Sequence, residues 1–294
     1  RFFRRPPNRK TTYGKHMANQ REKRVKPSNK HHSQPFWQAD KPYLHDCQIT
    51  DGGFRALGYI MSFLAGAINA GGFFAVQSYT SHITGSMSGA ADAAYLGDWH
   101  GFFAAMSCVV AFLIGSAHSS WTILWAKRQR FRSSYGLSMW LESLYLLAFG
   151  LLGVALSHYG RILLPPTVLL LCFIMGMHNT VMTVLSGGII RSTHMTGTVT
   201  DLGIELGKVL YYRRSKNPKL PDIAVNRPKM RLLLALLAAF ILGGVVGAWG
   251  YHRLGYHFTL PVAALLFWFG AGSVGYDAKL RWRIYWRQKK ELKR

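Results

Sequence analysis

The sequence predicts an all-α polytopic membrane protein, with about six transmembrane helices in a 3+3 inverted repeat and two short re-entrant or interfacial helices. Three observations predict it: a composition that suits lipid better than water, apolar runs of membrane-crossing length, and a polar phrase that occurs twice. The 294 residues are 49% hydrophobic and only 16% charged, yet the net charge is +24. A water-facing surface needs more charge of both signs. A membrane protein instead pushes its charges into loops and tails.

The elements follow in chain order. Residues 1–53 hold no apolar run and no signal peptide, and are rich in Lys, Arg, Pro, Asn and Gln. They read as a disordered basic cytoplasmic tail. Apolar spans follow at 54–77, 101–126, 137–157, 164–187, 231–251 and 258–277. Each is near or above the roughly 20 residues that cross a bilayer core as helix. The membrane domain is therefore 54–280, with a first repeat at 54–157 and a second at 164–278, and 281–294 forms a second basic tail. Two shorter pieces, 82–100 and 193–212, lie between spans.

Lys and Arg in short loops mark the cytoplasmic side. They crowd the N-terminal tail, "KRQRFR" (127–132), 213–231 and 279–294, and are sparse in "SHYGR" (157–161) and "YHRLGYH" (251–257). With the rich segments inside, the spans form three out-and-back pairs and both termini are cytoplasmic. The pieces 82–100 and 193–212 then start and end on one side, because a full crossing by both would place "KRQRFR" outside. The expected location is a bacterial inner membrane.

The two halves share motifs in the same order. "AGAINA" (65–70) matches "MGMHNT" (175–180), pairing Gly66 with Gly176 and Asn69 with Asn179. "SHITGSMS" (81–88) matches "THMTGTVT" (193–200), and "AFLIG" (111–115) matches "AFILG" (239–243). A repeat with an odd number of crossings is inverted in the membrane. Inverted repeats with short, Gly-interrupted segments at matching positions point to a transporter-like binding site.

Thr, His and Gly suit such a place. A helix that begins inside a membrane has unpaired backbone N–H groups, costly to leave bare. Thr84 and Thr196 carry hydroxyls able to cap them. Gly85 and Gly197 leave room for a ligand or a neighbouring helix. His82, Ser86, Thr193 and His194 complete the candidate substrate-binding set with Asn69 and Asn179. The two Asn are expected to hydrogen-bond across the repeat interface. Asp92 shares a face with Ser88; Asp201, Glu205 and Lys208 share another. Glu142, within "LSMWLESLYLLAFGLLG", and His178, deep in its span, join Asp92, Asp201 and Glu205 as candidates for ion coupling or proton relay. Each feature also has a plainer account: small residues pack membrane helices, the 193–212 charges face water, Glu142 snorkels or pairs, and His178 is a satisfied core imidazole.

At these motifs the chain resembles the YoaK family of bacterial multi-pass membrane proteins, a domain of unknown function. The residues that carry the resemblance are "AGAINAGGFF", "HITGSMSGA", "GMHNTVMTVLSG" and "RSTHMTGTVTDLGIELG", and it covers about 54–280. The resemblance implies Asp in place of Asn69 and Asn in place of Ser86. An acidic role at the first position is thereby weakened, and Asp92 is the nearest substitute.

No phosphate-binding Gly-rich loop, H-E-x-x-H pair or Cys/His cluster is present, so neither a catalytic nor a metal site is expected, nor a cofactor. Tyr13, Phe36, Trp37 and Tyr43 interleave with basic residues in the first tail. With no nucleic-acid-binding fold beside them, the expected partner of both tails is anionic lipid rather than a specific nucleic acid. The expected function is movement of a small polar solute by a secondary transporter or channel, not an enzyme. Its rival is a non-transporting scaffold whose polar motifs serve helix packing alone.

Overall fold

A computed structural model describes residues 52–76, 79–129, 134–159, 163–186, 188, 192–214 and 225–271. The expected basic tails fall outside the described residues, apart from the backbone of residues 52 and 53, as do 272–277 of the last expected span.

The described residues are helical throughout, with short joints and no strand. The helices are α1 (Gly52–Val76), α2 (Ile83–Tyr95), α3 (Trp99–Arg128), α4 (Ser134–Tyr159), α5 (Leu164–Leu185), α6 (Met195–Arg214), α7 (Arg227–Leu254) and α8 (259–271). Five stretches are long and apolar enough to cross a membrane, and the last is the 45-residue run Arg227–Ala271. At 1.5 Å per residue a straight helix of that length would span about 67 Å, over twice a bilayer core. It does not run straight. Gly255 takes φ 58°, and a single 3₁₀ turn, Gly255–Phe258, separates α7 from α8. The two short elements match the two expected short pieces. The 13 residues of α2 reach only about 20 Å. The 20-residue α6 carries Asp201, Glu205 and Lys208 and is not among the five.

Local chemistry fixes the joints. Gly97, with φ 73°, turns the chain between α2 and α3, and the Asp98 carboxylate caps α3 by accepting from Gly101 N at 2.9 Å. Asn226 caps α7 the same way, accepting from Lys229 N at 3.0 Å. Pro165 and Pro166 begin α5, where their missing N–H groups cost nothing.

Helix directions follow from who touches whom. Along α1 and α7, contacts advance together: Ser62 bonds the Leu236 carbonyl, Gly66 meets Phe240 and Gly244, Ala67 meets Gly247, and Gly71 meets Tyr251. The two helices are parallel. So are α3 and α5, where Phe112 meets Gly176 and Ser116 lies between Gly176 and Thr180. Against α4 the order reverses: Glu142 meets His178 while Tyr145 meets Phe173, so α4 and α5 are antiparallel. At one level Glu142, His178 and Met61 meet; farther along α4, Phe149 touches Tyr256, which also touches Phe74 near the end of α1. Hence α1, α4 and α7 run one way, and α3 and α5 the other. α8 joins the second set, because Gly150 of α4 meets Thr259 while Gly270 meets Trp140. The chain between α1 and α3, and that between α5 and α7, each returns to the end it left.

Both parallel seams close by the same device. Lipid is as apolar as Leu, so helix association in membranes rests on close van der Waals approach and hydrogen bonds. Gly66 and Gly243 place their bare Cα atoms on the carbonyls of Phe240 and Phe63; Gly176 and Gly115 do so on those of Phe112 and Phe173. These are the residues the sequence paired between its halves. The outer faces expose Leu113, Trp121, Leu124, Leu151, Val245 and Trp268, an apolar shell that water would disfavour.

Candidate functional site

A cavity of about 440 Å³ lies where the α1–α7 seam meets the starts of both short helices. Asn69 and Phe73 of α1, Phe240 and Gly244 of α7, Ser81 and His82 before α2, and Thr193 and Thr196 beside and within α6 form its walls. Both copies of the repeated phrase therefore reach one space. The volume suits a small organic molecule.

The cavity exists because the two seams diverge in side-chain size. In the α3–α5 seam, Ser116 donates to the Gly176 carbonyl at 3.1 Å and Thr180 donates to the same carbonyl at 2.9 Å. The positions aligned with Ser116 and Thr180 in the other seam are Gly244 and Ala70. Gly244 has only the Gly66 carbonyl, 3.9 Å away, near where a Cβ would stand. Two hydroxyl side chains fill one seam, and their absence opens the other.

The asparagines shape the approach to each short helix. The Oδ1 of Asn69 accepts from the Ser81 backbone N–H at 3.4 Å and its hydroxyl at 3.0 Å. That of Asn179 accepts from Thr193 N at 3.3 Å, the Thr193 hydroxyl at 2.6 Å and the Ser192 hydroxyl at 3.4 Å. This corrects one expectation. The asparagines bond within their own repeat, holding the residues just before α2 and α6, because the chain folds back there within reach of the parent helix. Asn179 is buried, does not line the cavity, and its Nδ2 has no hydrogen-bond partner.

The capping expectation is corrected as well. Thr84 and Thr196 each stand one residue inside their helices, and no side chain caps α2. The N-cap of α2 is His82, whose ring folds over Gly85; a Cβ on Gly85 would collide with it. Gly85 thus makes room for His82, not for a ligand. Gly197 has nothing within 4 Å of an added Cβ and is open. Thr84, Gly85, Ser86, His194 and Gly197 are not cavity walls.

The acidic candidates separate into three places. Asp92 is exposed on α2 and is not one of the walls. Asp201 and Glu205 fasten α6 to the start of α7. Asp201 pairs with Lys229 at 3.1 Å, while Glu205 accepts from Lys208 at 2.8 Å and from the Asn226 backbone N–H at 3.0 Å. The Lys208 hydrogen bond first, and the Asn226 N–H second, hold the Glu205 carboxyl below its ordinary value. Glu142 does not snorkel. It and His178 are fully buried, with Glu142 Oε1 2.6 Å from His178 Nδ1, while His178 Nε2 donates to the Met61 carbonyl at 2.9 Å. Three helices meet at that pair.

A family model described as a protein of unknown function, DUF1275, matches residues 57–272. The chain belongs to this family. The match begins in α1 and runs through α8, so it takes in both short helices, the cavity and the buried Glu142–His178 pair. No curated protein and no solved structure matches the chain. The family description carries no activity, so function rests on the geometry above.

Sequence reasoning found the polar half of the cavity and missed its aromatic half. Tyr79 stacks on Phe73 with centroids 5.0 Å apart, and His252 of α7 closes another side. The signal for Tyr79 was its place beside "SHITG". His252 carried none, sitting in what reads as an ordinary polar loop. Among the described residues the lining holds no Asp, Glu, Lys or Arg.

Proposed function

We propose that this membrane protein moves a small polar solute through the cavity between α1 and α7. The observation that carries the reading is the convergence of both repeated phrases, Ser81–His82 and Thr193–Thr196, on one cavity. A sequence duplicated only for packing has no need to bring both copies to the same hollow. Asn69, Ser81 and Thr196 supply hydrogen bonds, the aromatic walls supply contact area, and described walls whose titratable side chains are the imidazoles of His82 and His252 and the Tyr79 phenol, with no carboxylate, ammonium or guanidinium, favour a solute that is itself uncharged or net neutral.

On this reading the chain crosses a bacterial inner membrane six times as two inverted copies, α1–α4 and α5–α8, with both termini in the cytoplasm. The opposite directions of α1 and α5, and of α3 and α7, support the inversion. The basic tails rest on anionic headgroups. The protein performs no bond chemistry.

Uptake by proteoliposomes, scanned over a panel of polyols, amides, zwitterionic amino acids and small sugars, tests the proposal. Flux of at least one class, lost in Thr196→Val while the variant remains folded, supports it. Absence of flux for every class with intact protein overturns it. Loss of folding in Thr196→Val moves the motif to the scaffold reading.

A further inference from the structure

We infer that the Glu142–His178 pair is a proton-binding site whose occupancy acts through α1 and α5 to set how α2 and α7 close around the cavity. The inference deepens the transport reading by naming the ion that regulates the same site, and rests on that reading for its purpose.

The hydrogen-bond geometry fixes the proton count. A backbone carbonyl only accepts, so the contact with Met61 requires a hydrogen on His178 Nε2. The 2.6 Å contact on the other side then holds one further proton between Nδ1 and Glu142 Oε1. With that proton the pair is neutral overall, as imidazolium–carboxylate or as imidazole–carboxylic acid. Removing it leaves net charge −1 and adding another leaves +1, each costly in a fully buried site. Glu142 Oε2 is buried and has no hydrogen-bond partner, so it stands open to a second proton. A purely structural pair has no need of an idle carboxylate oxygen in the core.

The surroundings isolate the pair. Within the described residues α8 brings no ionisable side chain, and α1 brings only Arg55 and Tyr59 near its start. α4 adds Tyr135 and Tyr145, with His158 and Tyr159 in its last turn, and α5 adds Cys172. α3 carries His100, Cys108, Lys127 and Arg128 besides His118, whose Nε2 is 3.4 Å from the Tyr145 hydroxyl. Among the described residues the nearest ammonium recorded against α4 is Lys127, over the Tyr135 ring at the start of that helix, and no contact of the pair with a second carboxylate or ammonium is seen.

Two short paths lead to the cavity. Met61 lies two turns before Asn69 on α1. His178 precedes Asn179, which holds Thr193 at the cavity wall. A change of charge at the pair tugs on the Met61 carbonyl and on the α5 backbone, and both ends of the cavity feel it.

The test needs no solute. Full-length protein in nanodiscs, with native cysteines replaced by serine, carries spin labels at Met87→Cys on α2 and Trp249→Cys on α7, both exposed. Electron–electron distance distributions are compared between about pH 5 and pH 9, a range that brackets ordinary histidine titration. The expected result is a population shift with pH that disappears in Glu142→Gln and in His178→Gln. Glu142→Gln keeps the side-chain shape and a hydrogen bond to Nδ1, and either variant that folds decides the comparison. A distribution that does not move with pH in the unmodified pair overturns the inference. So does a shift that persists in a folded variant of either residue. Solute flux is a separate measurement: flux without the pH-dependent shift sinks the proton site alone, and the shift without flux sinks the transport reading alone.

Discussion

The paired glycines yield a quantitative test of the helix packing. Gly66→Ala adds a Cβ that collides with the Phe240 carbonyl oxygen and lies 2.8 Å from Gly244 N. Gly176→Ala adds one that collides with the Phe112 carbonyl oxygen and lies 3.0 Å from Ser116 N. Ordinary carbon contacts sit at about 3.5–4.0 Å, and the obstacle is backbone, so the helices must separate by roughly 0.5–1 Å. A gap of that size forfeits about a quarter to a half of the dispersion energy along the seam. It also stretches the bonds Ser62 and Ser116 make across their seams. Overpacking costs about 1–3 kcal/mol, against a gain of about 1 kcal/mol from replacing Gly by Ala in a helix. The expected net change is a loss of up to about 2 kcal/mol in each variant, so that neither shows the gain of the open-space control. Gly207→Ala, in open space on α6, is the control and gains up to about 1 kcal/mol. Reversible unfolding in mixed micelles, followed by tryptophan fluorescence, reads all three. If Gly66→Ala and Gly176→Ala gain stability over the parent as Gly207→Ala does, the close-packed seams are wrong.

Further outcomes follow from the other contacts. Gly244→Ser, which recreates in the open seam the residue at Ser116, is expected to leave the protein at least as stable as the parent and to abolish proteoliposome flux. Glu142→Leu strands the His178 imidazole and is expected to cost about 3–5 kcal/mol, with Glu142→Leu/His178→Leu recovering most of the loss; an additive double-mutant cycle in the same unfolding assay would refute the pairing. Glu205 has a folded pKa held below its ordinary 4.5. Its contribution is therefore complete above about pH 4.5 and lost as pH falls through the lowered folded value. A pH series of melting temperatures should show Glu205→Gln converging with the parent at acid pH and falling below it near neutrality.

The helices were legible because membrane-crossing length is a one-dimensional property. A run such as 164–187 announces itself by composition alone, and α5 fills Leu164–Leu185. The seam glycines were legible because they recur: Gly66 with Gly176 and Gly115 with Gly243 stand at matching places in matching motifs. What periodicity does not encode is which helix lies beside which. The parallel pairing of α1 with α7 depends on contacts across 174 residues of sequence, such as Ser62 with Leu236, and nothing local marks it. The Asn–backbone bonds escaped for a similar reason, since Asn69 and Ser81 meet only when the chain folds back before α2. Glu142 and His178 were each conspicuous as ionisable residues inside apolar spans, but their union required the α4–α5 register.

The divergence between the two seams bears most directly on function. On the proposed reading of two inverted copies, the seams would have begun alike, and the places where they now differ are where their roles would have parted. At Ser116 and Thr180 the α3–α5 seam has hydroxyls that satisfy backbone carbonyls and fill space. Gly244 and Ala70 at the aligned places leave backbone bare and a hollow beside Asn69. An empty volume in a membrane protein forfeits dispersion contacts that packing would otherwise provide. For packing alone, Ser and Thr are the better choice, as the other seam demonstrates. Gly and Ala at those positions weaken the α1–α7 seam, and on the proposed reading a bound solute would restore the missing contacts. The cavity and the repeated phrases at its mouth are thus one argument for a binding site rather than two separate curiosities of sequence.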